Sequence, residues 1–277
     1  MNFQSAISIR LPYHHTKAPF VVAWSQKAGC TSILKWFLFH AGLLEEAEAY
    51  VSGLANIDIH VYEQSILKSE PGYKRELVKK LAGGIPVFNF IRCPYQRAFS
   101  SYLHLNNRGF IGQERNGKSS PGLTVRKSIL RAVYGDNVSI EYPLSFLDYL
   151  RWLNMQEVGS LEVHHAPQSS EIYKYENIHH YRLEDFSNAA CLIEDRFGLS
   201  SSQPVADKFT GNHHKKKSEV SLGATLTLLE TGMPVNPSPT FIFPRVTRET
   251  LKDTEFAVLI EQVFHNDIQL YDSLTPA

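Results

Sequence analysis

Residues 20–32 read FVVAWSQKAGCTS, and the fold turns on how this stretch is taken. Phe20 to Trp24 is an apolar, β-rich run of the kind found in a central parallel strand with both faces covered. Ser25, Gln26, Lys27, Ala28, Gly29, Cys30, Thr31 and Ser32 then turn the chain, and Ile33-Leu34-Lys35-Trp36-Phe37-Leu38 continues it as a helix. A strand, a tight glycine turn and a helix N-terminus make an anion site. Unpaired backbone N–H groups and the positive end of the helix dipole point at whatever occupies the turn. Lys27 adds a full positive charge.

Several phosphate-binding patterns are excluded. The G-x-x-x-x-G-K-[ST] loop needs its lysine after the second glycine, whereas Lys27 precedes Gly29, and Trp24 stands where the first glycine belongs. A phosphatase-type cysteine loop needs an arginine six residues on; Cys30 has Trp36 there and Cys93 has Phe99. The dinucleotide pattern G-x-G-x-x-G is absent. What remains is K-x-G-x-[ST]-[ST]. A second apolar strand, Val-Phe-Asn-Phe-Ile-Arg at 87–92, runs into Cys93-Pro94-Tyr95-Gln96-Arg97-Ala98-Phe99-Ser100. Pro94 suits the first turn of a helix, which leaves Arg92 at the C-terminal end of its strand and Ser100 about two turns along.

The pair of segments resembles the phosphate motifs of sulfotransferases that use 3′-phosphoadenylyl sulfate, and the carbohydrate branch (sulfotransferase family 2-like) in particular. There K-x-G-C-[ST] is the 5′-phosphosulfate loop and an Arg…Ser pair holds the 3′-phosphate. The resemblance implies that Lys27, Ala28, Gly29, Cys30, Thr31, Ser32, Arg92 and Ser100 bind the donor, with adenosine 3′,5′-bisphosphate as product and no metal. It extends less sharply to Glu162-Val163-His164-His165-Ala166-Pro167-Gln168, to Tyr181-Arg182-Leu183-Glu184-Asp185-Phe186 and to residues 264–271. Cys93 departs from the family, in which an acidic or basic residue commonly precedes the proline.

Sulfuryl transfer rests on positioning and on charge stabilisation at the bridging oxygen, by analogy with phosphoryl transfer. Lys27 is placed in that role. A hydroxyl acceptor also needs a base, most often histidine. Related glycan sulfotransferases carry theirs between the two phosphate motifs, and His60 matches, with Asp58, Glu63 and His164 as alternatives. Asn212-His213-His214-Lys215-Lys216-Lys217 is a basic patch, a solvated loop or one that closes over the donor; the individual lysine is open. The acceptor expected is a glycan or another hydroxylated molecule. Two other functions stand beside this one: a nucleotide kinase-like phosphotransferase, and a non-catalytic member that binds nucleotide or glycan.

Composition narrows the class. The 277 residues are 43% hydrophobic, enough for one large α/β domain or two small ones, and 28 basic residues balance 28 acidic ones. That balance argues against a dedicated nucleic-acid binder. Three cysteines without a C-x-x-C pair suit a reducing compartment better than a disulfide framework. The N-terminal stretch lacks a signal-peptide core, and no apolar run reaches the roughly 20 residues of a membrane span. The expectation is a soluble, cytoplasmic protein.

Along the chain, alternation at 57–62 predicts a half-buried strand carrying His60 on its polar face. Residues 73–82 predict an amphipathic helix closed by Gly83-Gly84, and Ser145 starts another helix. Residues 106–124 are expected to be a mobile excursion, 200–222 loop-like and 200–245 rich in loops. A strand at 178–183 precedes a helix capped by Ser187 and ending before Gly198; 254–271 is a C-terminal helix. The whole, 1–277, is expected to be one α/β domain with a mostly parallel central sheet flanked by helices, in a P-loop-like (sulfotransferase or nucleotide kinase-like) architecture.

Overall fold

Val21–Ala23 is a strand (β1) because three consecutive apolar residues, two of them β-branched, are fully enclosed. After it, in chain order, come α1 (Cys30–Ala41), α2 (Leu44–Ser52), α3 (Tyr73–Ala82), β2 (Val87–Ile91), α4 (Pro94–Leu105), α5 (Pro121–Tyr134), α6 (Phe146–Asn154), β3 (Ile178–Arg182), α7 (Phe186–Phe197), α8 (Leu222–Thr231) and α9 (Glu255–Ser273). The computed structural model describes residues 2–53, 58–107, 111, 114–115, 118–209, 217–218, 221–235, 237, 241 and 243–277, with backbone alone at 114–115, 118–119 and 217–218. The chain is α/β and falls into two compact units. The first is Met1–Arg92, Gln168–Asn212 and Tyr271–Ala277; the second is Cys93–Pro167 and His213–Leu270.

The first unit holds a parallel three-stranded sheet in the order β1-β2-β3, with Val21 opposite Val87 and Val87 opposite Ile178. Strand alternation splits its side chains between two cores. Phe20, Val22, Phe88 and Phe90 join Trp36 and Phe37 of α1 and Ile193 of α7 on one side. Val21, Ala23 and Val87 join Leu77 and Leu81 of α3 on the other. The sheet is therefore covered on both faces, as expected for parallel strands. Glu194 of α7 is buried, and its carboxylate accepts from Trp36 Nε1 at 2.9 Å and from the Ser202 N–H at 3.1 Å, with His40 Nε2 at 3.0 Å. Burial raises the Glu194 pKa, but these bonds outweigh it and hold the group below its ordinary 4.5.

The second unit is built on α4, α5, α6, α8 and most of α9. Pro94 sits in the first turn of α4, as its lost N–H allows. Ser145 caps α6 by accepting from the Asp148 N–H at 2.9 Å. Arg126 is buried and spends its guanidinium on carbonyls, those of Ile140 at 2.7 Å and Leu105 at 3.2 Å among them.

Four expectations need correction. No strand covers 57–62: residue 57 lies outside the described residues, and His60–Tyr62 is a helical turn that runs into a π-turn at Glu63–Leu67. Helical winding sets Glu63 one turn on from His60 and buries Tyr62, so six residues of alternation were outweighed by packing. Ser187 is not a cap, because α7 begins at Phe186 with Asp185 at its N-cap. Residues 121–124 open α5, capped by Ser120, while 108–110, 112–113 and 116–117 lie outside the described residues. The 200–245 stretch contains a 3-10 turn (Gln203–Val205), a short helix (Ala206–Phe209) and α8, so it is less loop-rich than its composition implies. No helix among the described residues is long and apolar enough to cross a membrane.

Candidate functional site

The turn between β1 and α1 owes its shape to two residues in the left-handed region, Lys27 at φ 63° and Gly29 at φ 71°. Such backbone is costly for a lysine and free for glycine. Gly29 is required for a second reason. A Cβ there would come within 2.7 Å of Leu183 Cδ1, just past the end of β3. Gly29 is the N-cap of α1 and has no side chain to cap it, so the first turn, Cys30-Thr31-Ser32, carries no side-chain cap bond. Ala28 is buried, whereas Lys27, Gly29, Cys30, Thr31 and Ser32 are half-buried. Ser25, at the start of the turn, is fully buried and its Oγ has no hydrogen-bond partner.

Arg92 follows the last residue of β2 and donates through Nη1 to the Lys27 carbonyl at 2.9 Å. Its own backbone is gripped by Gln168, whose Oε1 accepts from the Arg92 N–H at 3.0 Å and whose Nε2 donates to the Arg92 carbonyl at 2.8 Å. Arg10, buried, donates to the Gln168 carbonyl at 2.8 Å and to Gln26 Oε1 at 2.9 Å. The turn is thus held from three chain segments.

A second row of groups meets the first turn of α1. His60 Nε2 lies 3.5 Å from Cys30 Sγ and 3.2 Å from Thr31 Oγ1. Its Nδ1 lies 2.5 Å from Glu63 Oε2. Glu63 is fully buried, and its other oxygen is paired with Lys68. The Lys68 ammonium stands 4.7 Å from the Tyr13 ring centre and 4.5 Å from that of Trp24. Burial disfavours the His60 imidazolium, but the bonds and charges of Cys30 and Glu63 outweigh it and push its pKa from 6.5 up to about 10. Burial likewise pushes the Cys30 thiol up, but His60 and Lys27 more than offset it, leaving the thiol below its ordinary 9.0. Burial raises Glu63 too, yet His60 and Lys68 hold it below 4.5. The row therefore alternates acidic and basic groups, Cys30, His60, Glu63 and Lys68.

No family model matches the chain, and no curated protein or solved structure matches it either.

Of the residues singled out from the sequence, Lys27, Ala28, Gly29, Cys30, Thr31, Ser32, His60 and Arg92 meet in the first unit through the contacts above. Asp58 is not part of the charged row; its Oδ1 accepts from the His60 N–H at 3.2 Å. Ser100 lies on α4 in the second unit and is half-buried. His164 also belongs to the second unit, where its Nδ1 is 2.8 Å from Glu162 Oε1 and its ring 4.9 Å from that of His104. Lys215 and Lys216 lie outside the described residues, and Lys217 is described by its backbone alone, in a short parallel ladder with Phe243. Sequence reasoning missed Arg10, Gln26 and Lys68. Arg10 reaches Gln26 and Gln168, 16 and 158 residues away, while Lys68 pairs with Glu63 only five residues back, at a spacing that matches no motif. Among the described residues no group of three or more His, Cys, Asp or Glu is arranged to hold a metal ion.

A cavity of about 530 Å³ is lined by Ile7, Val78, Lys74 and Arg75, among others. None of the turn residues borders it.

Proposed function

We propose that the turn at 25–32 binds the 5′-phosphosulfate of 3′-phosphoadenylyl sulfate, and that the protein transfers the sulfuryl group to a hydroxyl of a glycan-like acceptor. One observation carries this: an uncapped α1 N-terminus at the end of a buried parallel strand, in a turn with two left-handed residues and a lysine between strand and glycine. Successive N–H groups at such a helix start favour an anion. In this reading Lys27 neutralises the bridging oxygen as the S–O bond breaks, and Arg92 serves the 3′-phosphate. With it goes a P-loop-like sheet architecture.

A second reading is favoured by the charge state of His60. An imidazole held protonated to about pH 10 donates a proton rather than accepting one. It suits a cation beside the donor better than a base for the acceptor, which keeps open a protein that binds the nucleotide without transfer.

Melting temperature with added adenosine 3′,5′-bisphosphate, against AMP and ADP, tests both. The bisphosphate should raise it far more than either mononucleotide, and equal shifts would sink the donor assignment. Lys27→Ala should abolish sulfate transfer with a smaller loss of bisphosphate binding; Arg92→Ala should weaken binding itself. Tight bisphosphate binding with no sulfate transferred across a broad acceptor panel would select the second reading.

A further inference from the structure

We propose that Cys30, His60 and Glu63 form a nucleophilic thiol centre that takes small disulfides as its substrate class, a reaction independent of sulfuryl transfer. The three side chains stand in a row: sulfur to imidazole at 3.5 Å and imidazole to carboxylate at 2.5 Å, with Nδ1 turned to Glu63 and Nε2 shared between the Cys30 sulfur and Thr31 Oγ1 at 3.2 Å. That is the order of a nucleophile, its proton partner and the group that orients the partner. Cys30 is also the first residue of the twelve-residue α1, where the dipole favours a negative sulfur. Cys30 as a residue is half-buried, and the His60 side chain beside it keeps 27% of its surface exposed.

Charged and titratable groups face Cys30 from several elements. Lys27 comes from the turn, and His60 and Glu63 from the helical turn and the π-turn. Lys68, from the residue after the π-turn, and Tyr13, from the N-terminal segment, complete the set. Cations at Lys27, His60 and Lys68 outnumber the buried carboxylate of Glu63, so a thiolate is retained at pH values where a solvated thiol is protonated.

The step balances without an external oxidant. The Cys30 thiolate attacks one sulfur of the disulfide, a new S–S bond forms as the old one breaks, and the departing thiolate takes the proton from the His60 imidazolium. Disulfide exchange needs only the thiolate and the imidazolium that the row supplies. Cys191, the other thiol of the first unit, interacts with Gln203. The mixed disulfide therefore awaits an external thiol.

The test uses the full-length chain with oxidised glutathione, adducts being timed at each cysteine by peptide mass spectrometry from pH 6.5 to 8.5. Cys30 should react at least ten-fold faster than Cys191 at pH 6.5. Its rate should fall less than about three-fold between pH 8.5 and 6.5, where an unperturbed thiol of pKa near 8.5 loses about fifty-fold. His60→Ala should restore the steep profile, and Glu63→Gln should lie between. A steep profile in the wild type, or a Cys30 rate no higher than that of Cys191, overturns the proposal. Should His60→Ala fail to fold, the wild-type profile still decides.

Discussion

At the scale of single residues, Cys30 and His60 determine how stability responds to pH. Taken alone, His60 has its pKa raised by folding, so its contribution is full below 6.5 and disappears as pH rises through about 10. Cys30 has its pKa lowered, so its contribution is full above 9.0 and is lost as pH falls through the folded value. Below pH 9 the two slopes oppose one another: the Cys30 contribution grows with pH while that of His60 declines. Urea denaturation across pH 6–10 should show the wild type gaining over Cys30→Ala as pH rises toward 9, because the variant lacks the growing Cys30 contribution and keeps only the part of the declining His60 contribution that Glu63 supplies. Parallel curves would mean that the two groups do not titrate together. None of this was legible in the sequence. His60 was found for its place between two motifs, but its neighbour Glu63 entered only as a rival base. Lys68, which balances Glu63, has no motif at all.

At the scale of elements, apolar periodicity was a good guide wherever it was long or fully buried. β1 and β2 were readable from runs of enclosed residues, and α3 matches the expected 73–82 span. The C-terminal helix followed from apolar residues at helical spacing, although its backbone breaks at Phe264, where φ is −109° and ψ 26°. Short patterns failed. At 57–62 alternation misled: the conformation of residues 58–62 was decided by burying Tyr62 and pairing Glu63 with both His60 and Lys68. The β1–α1 turn is the element where sequence and geometry agree most closely, and it yields a specific expectation. Gly29→Ala adds a Cβ both at φ 71° and within 2.7 Å of Leu183. It should cost about 1–3 kcal/mol of stability and reduce bisphosphate binding. Chemical denaturation and calorimetry read the two effects separately; a variant as stable as wild type would mean the turn relaxes without loss.

At the scale of the whole molecule, the units are not consecutive pieces of chain. The sheet of the first unit draws β1 and β2 from the first 92 residues but β3 from 178–182, and Gln168 grips Arg92 from the same later stretch. A fragment of residues 1–92 should therefore lack cooperative unfolding in urea, since β2 would have an open edge where β3 pairs and Arg92 would lose its grip. A sharp transition from the fragment would show that the first two strands and their helices suffice. Composition allowed one large α/β domain or two small ones and carried no sign of this interleaving, because the Gln168 side-chain amide meets the backbone of a residue 76 positions away, a pairing that no local pattern marks.

The Gln168 amide has one further consequence. Everything from Cys93 to Pro167 departs and returns at a single knot, where one side chain bridges the N–H and the carbonyl of Arg92. Lengthening or shortening that excursion changes closure entropy only logarithmically, while the knot stays tied. The stretch 93–167 thus leaves and rejoins the first unit at one point, with the arginine at its root held by the residue at which the chain returns.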